Sequence, residues 1–184
     1  MDTKIYHISD INEEMLRRAE VYGDREALER VNAAFAAVDE AAAIIRGGGI
    51  VVFPTETVYG LGADAFNEEA VGKVYAAKGR PSDNPMIVHI ARASDLGVLS
   101  SSLSPRMVRL IDAFWPGPLT LVVPKRPEVP GIVTGGLGTV AVRMPDCLAA
   151  IELIRRAGTP LAAPSANLSG KPSPTRGEHA INDL

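Results

Sequence analysis

The chain has 184 residues, 46% of them hydrophobic, which is enough for one domain with a real core and argues against intrinsic disorder. Its net charge of −3 argues against an obligate nucleic-acid coat, and its single cysteine, Cys147, excludes an internal disulfide and a cysteine-based metal cluster. No run approaches about 18 uninterrupted apolar residues, so we expect a cytoplasmic α/β protein without a membrane span.

The N-terminal region is predicted to be mainly helical. A short strand is predicted over residues 4–8, and Asp10 has capping-box spacing with Glu13 ahead of a short helix. From Asp24 onward, one apolar stripe predicts a helix of roughly five turns. The stripe consists of Leu28, Val31, Phe35, Val38, Ala42 and Ile45. Gly47 is predicted to end this helix as a left-handed cap.

The stretch I-V-V-F-P-T-E-T-V-Y-G-L-G-A-D, residues 50–64, is predicted to organise a ligand site. Residues 50–53 are predicted to form a buried strand that stops at Pro54 or lies at a sheet edge, because proline cannot donate to a ladder. A polar turn with Thr55, Glu56 and Thr57 follows. Gly60 then permits a positive φ or a close backbone approach. In open α/β sheets, ligands bind outside such strand ends.

Short strands and helices alternate in the rest of the chain. Asn67 is predicted to cap a helix that ends at Lys78 and Gly79. Further strands are predicted over residues 86–90, 119–123, 139–142 and 161–163. Further helices are predicted after Ser104-Pro105 (with Met107, Leu110, Ile111 and Phe114 on one face), over residues 148–157, and after Thr175 in a capping box with Glu178. Because regular βαβ units are absent from this order, we predict an α/β (α+β) fold with a mixed twisted sheet flanked by helices.

Polar side chains follow four of the predicted strands. They are Thr55 and Thr57, His89, Thr139 and Arg143, and Ser165 and Asn167, with Lys78, Arg80 and Asn84 on a connecting loop. If the strand ends converge, the cations and hydroxyls form a pocket for an anion, above all phosphate.

Each of these residues also has a purely structural interpretation. Lys78 at a helix C-terminus complements the helix dipole, Arg80 and Arg143 form surface ion pairs, and His89 is a core histidine. Neither a GxGxxG motif nor a Walker A motif is present. The residues alone therefore predict an α/β protein with an anion pocket and nothing narrower.

Six motifs in order carry a resemblance to a known family. They are P-T-E-T-V-Y-G-L-G (54–62), K-G-R-P (78–81), N-P-M-I-V-H (84–89), F-W-P-G-P-L-T (114–120), V-A-V-R-M-P (140–145) and P-S-A-N-L-S-G (164–170). Together they resemble the YrdC-like family of threonylcarbamoyl-AMP synthases over residues 41–184. The resemblance implies a concave, positively charged cavity, and it gives no role to a helical lead-in at residues 1–40.

The resemblance also implies a reaction. The family condenses L-threonine, bicarbonate and ATP to threonylcarbamoyl-AMP, releases pyrophosphate, and uses Mg²⁺ that arrives with ATP. A downstream threonylcarbamoyl-transferase complex then passes the group to adenosine 37 of tRNA. No protein nucleophile is needed, so no nucleophilic triad is expected.

The resemblance assigns roles residue by residue. Lys78 and Arg80 would be catalytic, and we expect both to be reachable by solvent. The threonine site would contain Thr57, His89, Arg143 and Ala163. The ATP site would contain Arg80, Asn84, Thr139, Ser165, Asn167 and Ser173. No residue is assigned to a protein-bound metal.

One departure from the family keeps other interpretations open. Family members continue beyond the position of residue 184 with a strand that closes the site, so we expect this chain to lack the C-terminal part of the domain. The alternative is a non-catalytic RNA-binding module of the same fold, against which the net charge of −3 counts. A carbamoyltransferase module, as in hydrogenase maturation, is disfavoured because those proteins carry cysteine-rich zinc fingers, whereas this chain has one cysteine.

Overall fold

The structure is a computed structural model that describes residues 3–6, 8 and 11–184. The helices are α1 (Glu13–Glu20), α2 (Arg25–Arg46), α3 (Glu68–Lys78), α4 (Pro105–Phe114), α5 (Leu148–Ala157) and α6 (Gly177–Asp183), with a 3₁₀ helix at Ala93–Val98. The strands are β1 (Val51–Phe53), β2 (Gly60–Asp64), β3 (Ile87–His89), β4 (Thr120–Pro124), β5 (Thr139–Arg143) and β6 (Leu161–Ala163).

The six strands form one sheet in the order β1-β2-β6-β3-β5-β4. Only the β3–β5 pair is parallel, and the other four pairs are antiparallel. The prediction of a mixed sheet flanked by helices is therefore confirmed.

The two faces of the sheet are covered differently. One face, with Val88, Val142 and Ala162, packs against α3 and α4 in the larger core cluster. The other face, with Phe53 and Leu161, packs against α2 and α5. That second layer leaves part of the face uncovered toward β4, where Val122 is 58% exposed. The candidate site lies on this second face.

Residues 60–64, where the sequence predicted no strand, form strand β2. β2 pairs with β1 on one side and β6 on the other. Neither Gly60 nor Gly62 has a positive φ. A Cβ on Gly62 would lie 2.7 Å from the ring of Phe53, so close approach is the reason for glycine here. The prediction that β1 lies at the sheet edge is confirmed. The prediction that β1 is a buried strand is wrong, because Phe53 is its only buried residue.

Several local predictions also require correction. Leu28 is exposed, and Ala27 takes its place in the buried stripe of α2. The left-handed residue after α2 is Gly48 (φ 74°), not Gly47. Phe114 is exposed instead of packing with Ile111.

The two predicted helix caps at the ends of the chain have different outcomes. The N-cap of α6 is Arg176, which makes no side-chain capping bond, so the predicted Thr175 cap is wrong. At α1, the side chain of Asn12 accepts a hydrogen bond from the Met15 N–H at 2.9 Å, and the predicted cap Asp10 lies outside the described residues.

The N-terminal helices form a small hairpin with its own cluster of buried side chains, in which Met15 and Ala19 of α1 meet Ala27 and Val31 of α2. No strand is formed by residues 3–6 and 8, and His7 of the predicted strand lies outside the described residues. The predicted domain boundary at residues 40/41 falls within α2. None of the described helices is both long enough and apolar enough to cross a membrane.

Candidate active site

A cleft of about 320 Å³ opens on the sheet face that α2 and α5 leave partly uncovered. Side chains two residues apart on a strand point to the same face, which is how β3 presents both Ile87 and His89 to the cleft. Arg143 of β5 lies opposite His89 in the sheet, and Ala163 of β6 lies opposite Ile87. Arg143 and Ala163 therefore line the cleft together with the two β3 residues. The turn after β1 also lines the cleft, with Thr55 and Thr57.

Arg143 is the most constrained cation of the cleft. It is buried, and its Nη2 donates to Oε1 of Glu56 at 2.7 Å and to Oγ1 of Thr57 at 3.0 Å. Its Nε is buried and has no hydrogen-bond partner among the described residues. Although burial alone would raise the pKa of Glu56, hydrogen bonds from Arg143 and the Asp146 backbone N–H hold it below its usual range. Glu56 is therefore a carboxylate at pH 7.

His89 is a buried, neutral imidazole beside this pair. Its ring meets the Phe53 ring edge to face, with the ring centroids 5.7 Å apart. Burial, together with the nearby positive charge of Arg143, lowers the pKa of His89 to about 4. Its Nδ1 is a second buried nitrogen without a partner among the described residues. A neutral imidazole fits a role in shaping or hydrogen bonding a ligand better than a role as a cation.

Arg80 supplies the second guanidinium of the cleft. Its Nη2 donates to the carbonyl of Pro85 at 3.1 Å, and its Nε lies 3.4 Å from the carbonyl of Asn84. The same Asn84 carbonyl is 2.9 Å from the Tyr75 hydroxyl. The Asn84 contacts therefore run through its main chain, and its exposed side chain is not part of the cleft lining.

Lys78 does not lie where solvent can reach it, which corrects the sequence expectation. It is only 2% exposed, and its Nζ donates to the carbonyl oxygens of Ser165 and Asn167. Burial, with a contribution from the charge of Arg80, lowers the pKa of Lys78 to about 8. The carbonyl of Lys78 also accepts a hydrogen bond from the Ser169 N–H at 2.9 Å. Lys78 thus fastens α3 to the segment after β6.

That segment presents Ser165 to the cleft and keeps Asn167 inside the protein. The Ser165 hydroxyl donates to Oδ1 of Asn167 at 2.5 Å. The Asn167 amide donates to the carbonyls of Leu168 and Lys171, so its side chain holds the loop together. Asn167 therefore supports the cleft without lining it.

Two residues assigned to ATP by resemblance lie apart from the cleft. Thr139 is exposed at the start of β5, on the same sheet face as Ala141 and Arg143. Ser173 lines a separate depression, together with Lys171, His179 and Asp183. The structure thus gathers Thr57, Arg80, His89, Arg143, Ala163 and Ser165 in one cleft and leaves Lys78, Asn84, Thr139, Asn167 and Ser173 outside its lining.

Glu56 is the site residue that the sequence reasoning missed. In the sequence Glu56 is a carboxylate after β1 with no visible role, because its partner Arg143 lies 87 positions later in the chain. The sequence signal for Glu56 is its position between Thr55 and Thr57. Thr57 accepts a hydrogen bond from the same Arg143 nitrogen as Glu56 does.

The arrangement is suited to holding anions. It offers two guanidiniums, threonine and serine hydroxyls and a neutral imidazole, a lining that matches carboxylate and phosphate groups. Among the described residues there is no group of three or more histidine, cysteine, aspartate or glutamate side chains placed to hold a metal ion. The cleft is built for positioning ligands and neutralising their charge.

Comparison with known proteins identifies relatives. The Sua5/YciO/YrdC family model, described as "Telomere recombination", matches residues 43–184. A threonylcarbamoyl-AMP synthase of Bacillus subtilis is 57% identical over 148 residues, which cover 80% of this chain and 43% of that protein. A threonylcarbamoyl-AMP synthase of Pyrococcus abyssi is 56% identical over 144 residues, or 78% of this chain and 42% of that protein.

A solved structure agrees with the sequence comparison. The crystal structure of P. abyssi Sua5 complexed with L-threonine superposes with a TM-score of 0.80 at 54% identity, covering 81% of this chain and 44% of that chain. The chain therefore spans less than half the length of these relatives.

Proposed function

The chain belongs to the Sua5/YciO/YrdC family, and from this membership we propose that it is an L-threonylcarbamoyladenylate synthase, a nucleotidyltransferase. It condenses L-threonine, bicarbonate and ATP to threonylcarbamoyl-AMP and pyrophosphate. The product serves the downstream complex that makes N6-threonylcarbamoyladenosine at position 37 of tRNA. We place this work in the cytoplasm, where ATP and tRNA are available.

The observation that carries the proposal is the pair of guanidiniums in one cleft. Arg143 lies beside Thr57 and His89, a small polar corner that fits an amino acid with its carboxylate on Arg143. Arg80 and the Ser165 hydroxyl lie on the same cleft and fit the phosphates of a nucleotide. A relative complexed with L-threonine supports the choice of threonine as the amino acid.

The proposed chemistry needs ligands in place more than it needs a reactive side chain. The threonine amine attacks the carbon of bicarbonate, and loss of water gives a carbamate. A carbamate oxygen then attacks the α-phosphorus of ATP, and the bond to pyrophosphate breaks. Arg143 fixes the amino acid, while Arg80 offsets the phosphate charge that develops as pyrophosphate leaves. Lys78 supports this step only by holding Ser165 in place.

We propose that Mg²⁺ enters with ATP. Glu56 is the carboxylate beside the cleft, and it is already paired with Arg143. The cleft residues therefore fit an ion such as Mg²⁺, whose ligands are mainly phosphate oxygens and water molecules. When bound, the ion would neutralise charge on the leaving pyrophosphate. Thr139 and Ser173, which lie outside the cleft lining, remain proposed contacts for the more distant parts of ATP.

The first test is pyrophosphate release by the purified 184-residue chain with ATP, Mg²⁺ and bicarbonate, with and without L-threonine. We expect threonine-dependent release, and we expect Arg143→Gln to lower it by about a hundredfold at low threonine, the loss typical of a charge-assisted contact. Arg155→Gln is the matched control, because Arg155 lies on α5 and pairs with Glu152 outside the cleft.

The same experiment separates the proposal from the RNA-binding alternative. A binding module would show salt-sensitive binding of tRNA and no threonine-dependent pyrophosphate release. Equal release by the wild-type chain and Arg143→Gln would instead contradict the assignment of the amino acid to this corner.

A further inference from the structure

We propose that Glu56 is a positioning residue that fixes the guanidinium of Arg143 for the carboxylate of the amino-acid substrate. The inference rests on the proposed function, since it concerns the same cleft, and it adds a residue to which the family resemblance gave no role. Glu56 acts through Arg143 and not on the reacting atoms.

The contacts at Nη2 are the first support. This nitrogen has two hydrogens and two acceptors, Oε1 of Glu56 at 2.7 Å and Oγ1 of Thr57 at 3.0 Å. Both acceptors come from the same turn between β1 and β2. With Nη2 engaged by the protein, the guanidinium cannot rotate freely, and Nη1 is left for a ligand.

Glu56 is itself held in place, which allows it to hold Arg143. The backbone N–H of Asp146, three residues after Arg143, also helps to hold the pKa of the Glu56 carboxyl below its usual range. The turn that carries it is closed by Thr55, whose hydroxyl lies 2.6 Å from the Val58 carbonyl. Through its ion pair with Arg143, the carboxylate ties the turn after β1 to β5, although three strands separate β1 from β5 in the sheet.

The burial of Arg143 makes its orientation depend on the ion pair with Glu56. Arg143 is 7% exposed, and its Nε has no partner among the described residues. A buried guanidinium that loses its carboxylate must find other acceptors or turn toward solvent. Either movement would take Nη1 away from the place where the ligand carboxylate binds.

Positioning and simple electrostatics predict opposite results when Glu56 is neutralised. Removal of a negative charge beside the cleft should tighten the binding of a ligand carboxylate if charge alone matters. Loss of orientation at Arg143 should weaken the binding of the same ligand. The isosteric change Glu56→Gln therefore separates the two effects by the sign of the change in affinity.

The experiment is calorimetric titration of the 184-residue chain with L-threonine and with L-threoninol, which lacks the carboxylate. For Glu56→Gln we expect L-threonine to bind about tenfold more weakly and L-threoninol to bind as it does to the wild-type chain. Glu152→Gln, which removes a glutamate paired with Arg155 on α5 at similar exposure, should leave both affinities unchanged.

Other outcomes overturn the inference. Unchanged or tighter L-threonine binding by Glu56→Gln contradicts positioning, as does an equal loss of affinity for both ligands. If Glu56→Gln melts at a much lower temperature, Glu56→Asp replaces it. That variant keeps the charge on a shorter side chain and should still weaken L-threonine selectively. A wild-type chain that binds no L-threonine would overturn the proposed function, and this inference with it.

Discussion

At the scale of single residues, Lys78 shows how burial changes an assignment. By sequence it is a cation at a helix end beside Arg80, which is the position of a phosphate ligand in the family resemblance. In the structure its ammonium is enclosed and donates to two main-chain carbonyls. The residue that reaches the cleft from this region is Arg80. Under the proposed function, Arg80 would make the phosphate contact and Lys78 would have a supporting role.

This assignment predicts different effects of substitution at the two positions. Lys78→Met should lower the free energy of unfolding by about 1–3 kcal/mol, because it leaves two buried carbonyl acceptors unpaired. Arg80→Ala should change that free energy by less than about 0.5 kcal/mol, as expected of a partly exposed side chain, while impairing the use of ATP. Urea denaturation of both variants provides the comparison. Unchanged stability of Lys78→Met would restore the phosphate role for Lys78.

His89 gives a prediction of pH dependence. Its pKa is lowered to about 4 from an ordinary value of 6.5, so between these values the unfolded chain binds more protons than the folded chain. The stability that the neutral imidazole contributes is complete above pH 6.5 and is lost as the pH falls toward 4. We expect the difference in unfolding free energy between wild type and His89→Gln to be constant from pH 7 to 8 and to decline from pH 6.5 to 4.5. A difference that stays flat over both ranges would contradict a lowered pKa.

At the scale of secondary structure, β2 shows what sequence patterns miss. The segment G-L-G-A-D has no β-branched residue and two glycines, so its local preferences favour a turn. It becomes a strand because β1 and β6 lie on either side of it and because Phe53 needs a surface without side chains beside its ring. By contrast, α3 was predicted well because its signals are local, with Asn67 as N-cap and Gly79 in the left-handed region.

The packing of Phe53 on β2 can be tested with two alanine substitutions. In Gly62→Ala the new Cβ would lie 2.7 Å from the Phe53 ring, so we expect a loss of about 1–3 kcal/mol from overpacking. Gly72→Ala is the matched control, since a Cβ there meets nothing within 4 Å in the middle of α3. It should stabilise the chain by about 0.5–1 kcal/mol. Melting temperatures of both variants give the comparison, and equal effects would contradict the packing account.

The candidate site was predictable in its types of residue but not in its contacts. Polar residues that follow strands gave Thr57, His89 and Arg143 from sequence alone. The reason for their meeting is different from the one expected, because β1 and β6 run opposite to β3 and β5 and their carboxyl ends lie at opposite edges of the sheet. The residues meet on the face of the sheet, where the turn after β1 brings Thr57 to Arg143. The pairing of Glu56 with Arg143 depends on a turn that folds across three strands, and no local signal encodes it. The burial of Lys78 likewise depends on the path of residues 165–169, which is set by tertiary packing.

At the scale of the whole molecule, the site depends on how unevenly the two helical layers cover the sheet. α2 is fastened to α5 by Arg156, which pairs with Asp39 at 2.6 Å and lies over the ring of Phe35. These two helices close one side of the second face and leave the cleft side open. The family match begins at residue 43, within α2, so most of this helix precedes the matched region while still packing on the family's sheet.

The proposed function requires this open face to bring an amino acid and a nucleotide together with bicarbonate. The most direct measurement is the transfer of labelled bicarbonate carbon into an acid-stable or chromatographically resolved nucleotide product by the purified chain with Mg²⁺. We expect label in threonylcarbamoyl-AMP only when L-threonine and ATP are both present, and we expect the label to be lost in Arg143→Gln. No incorporation by the wild-type chain, or incorporation that does not depend on threonine, would contradict it.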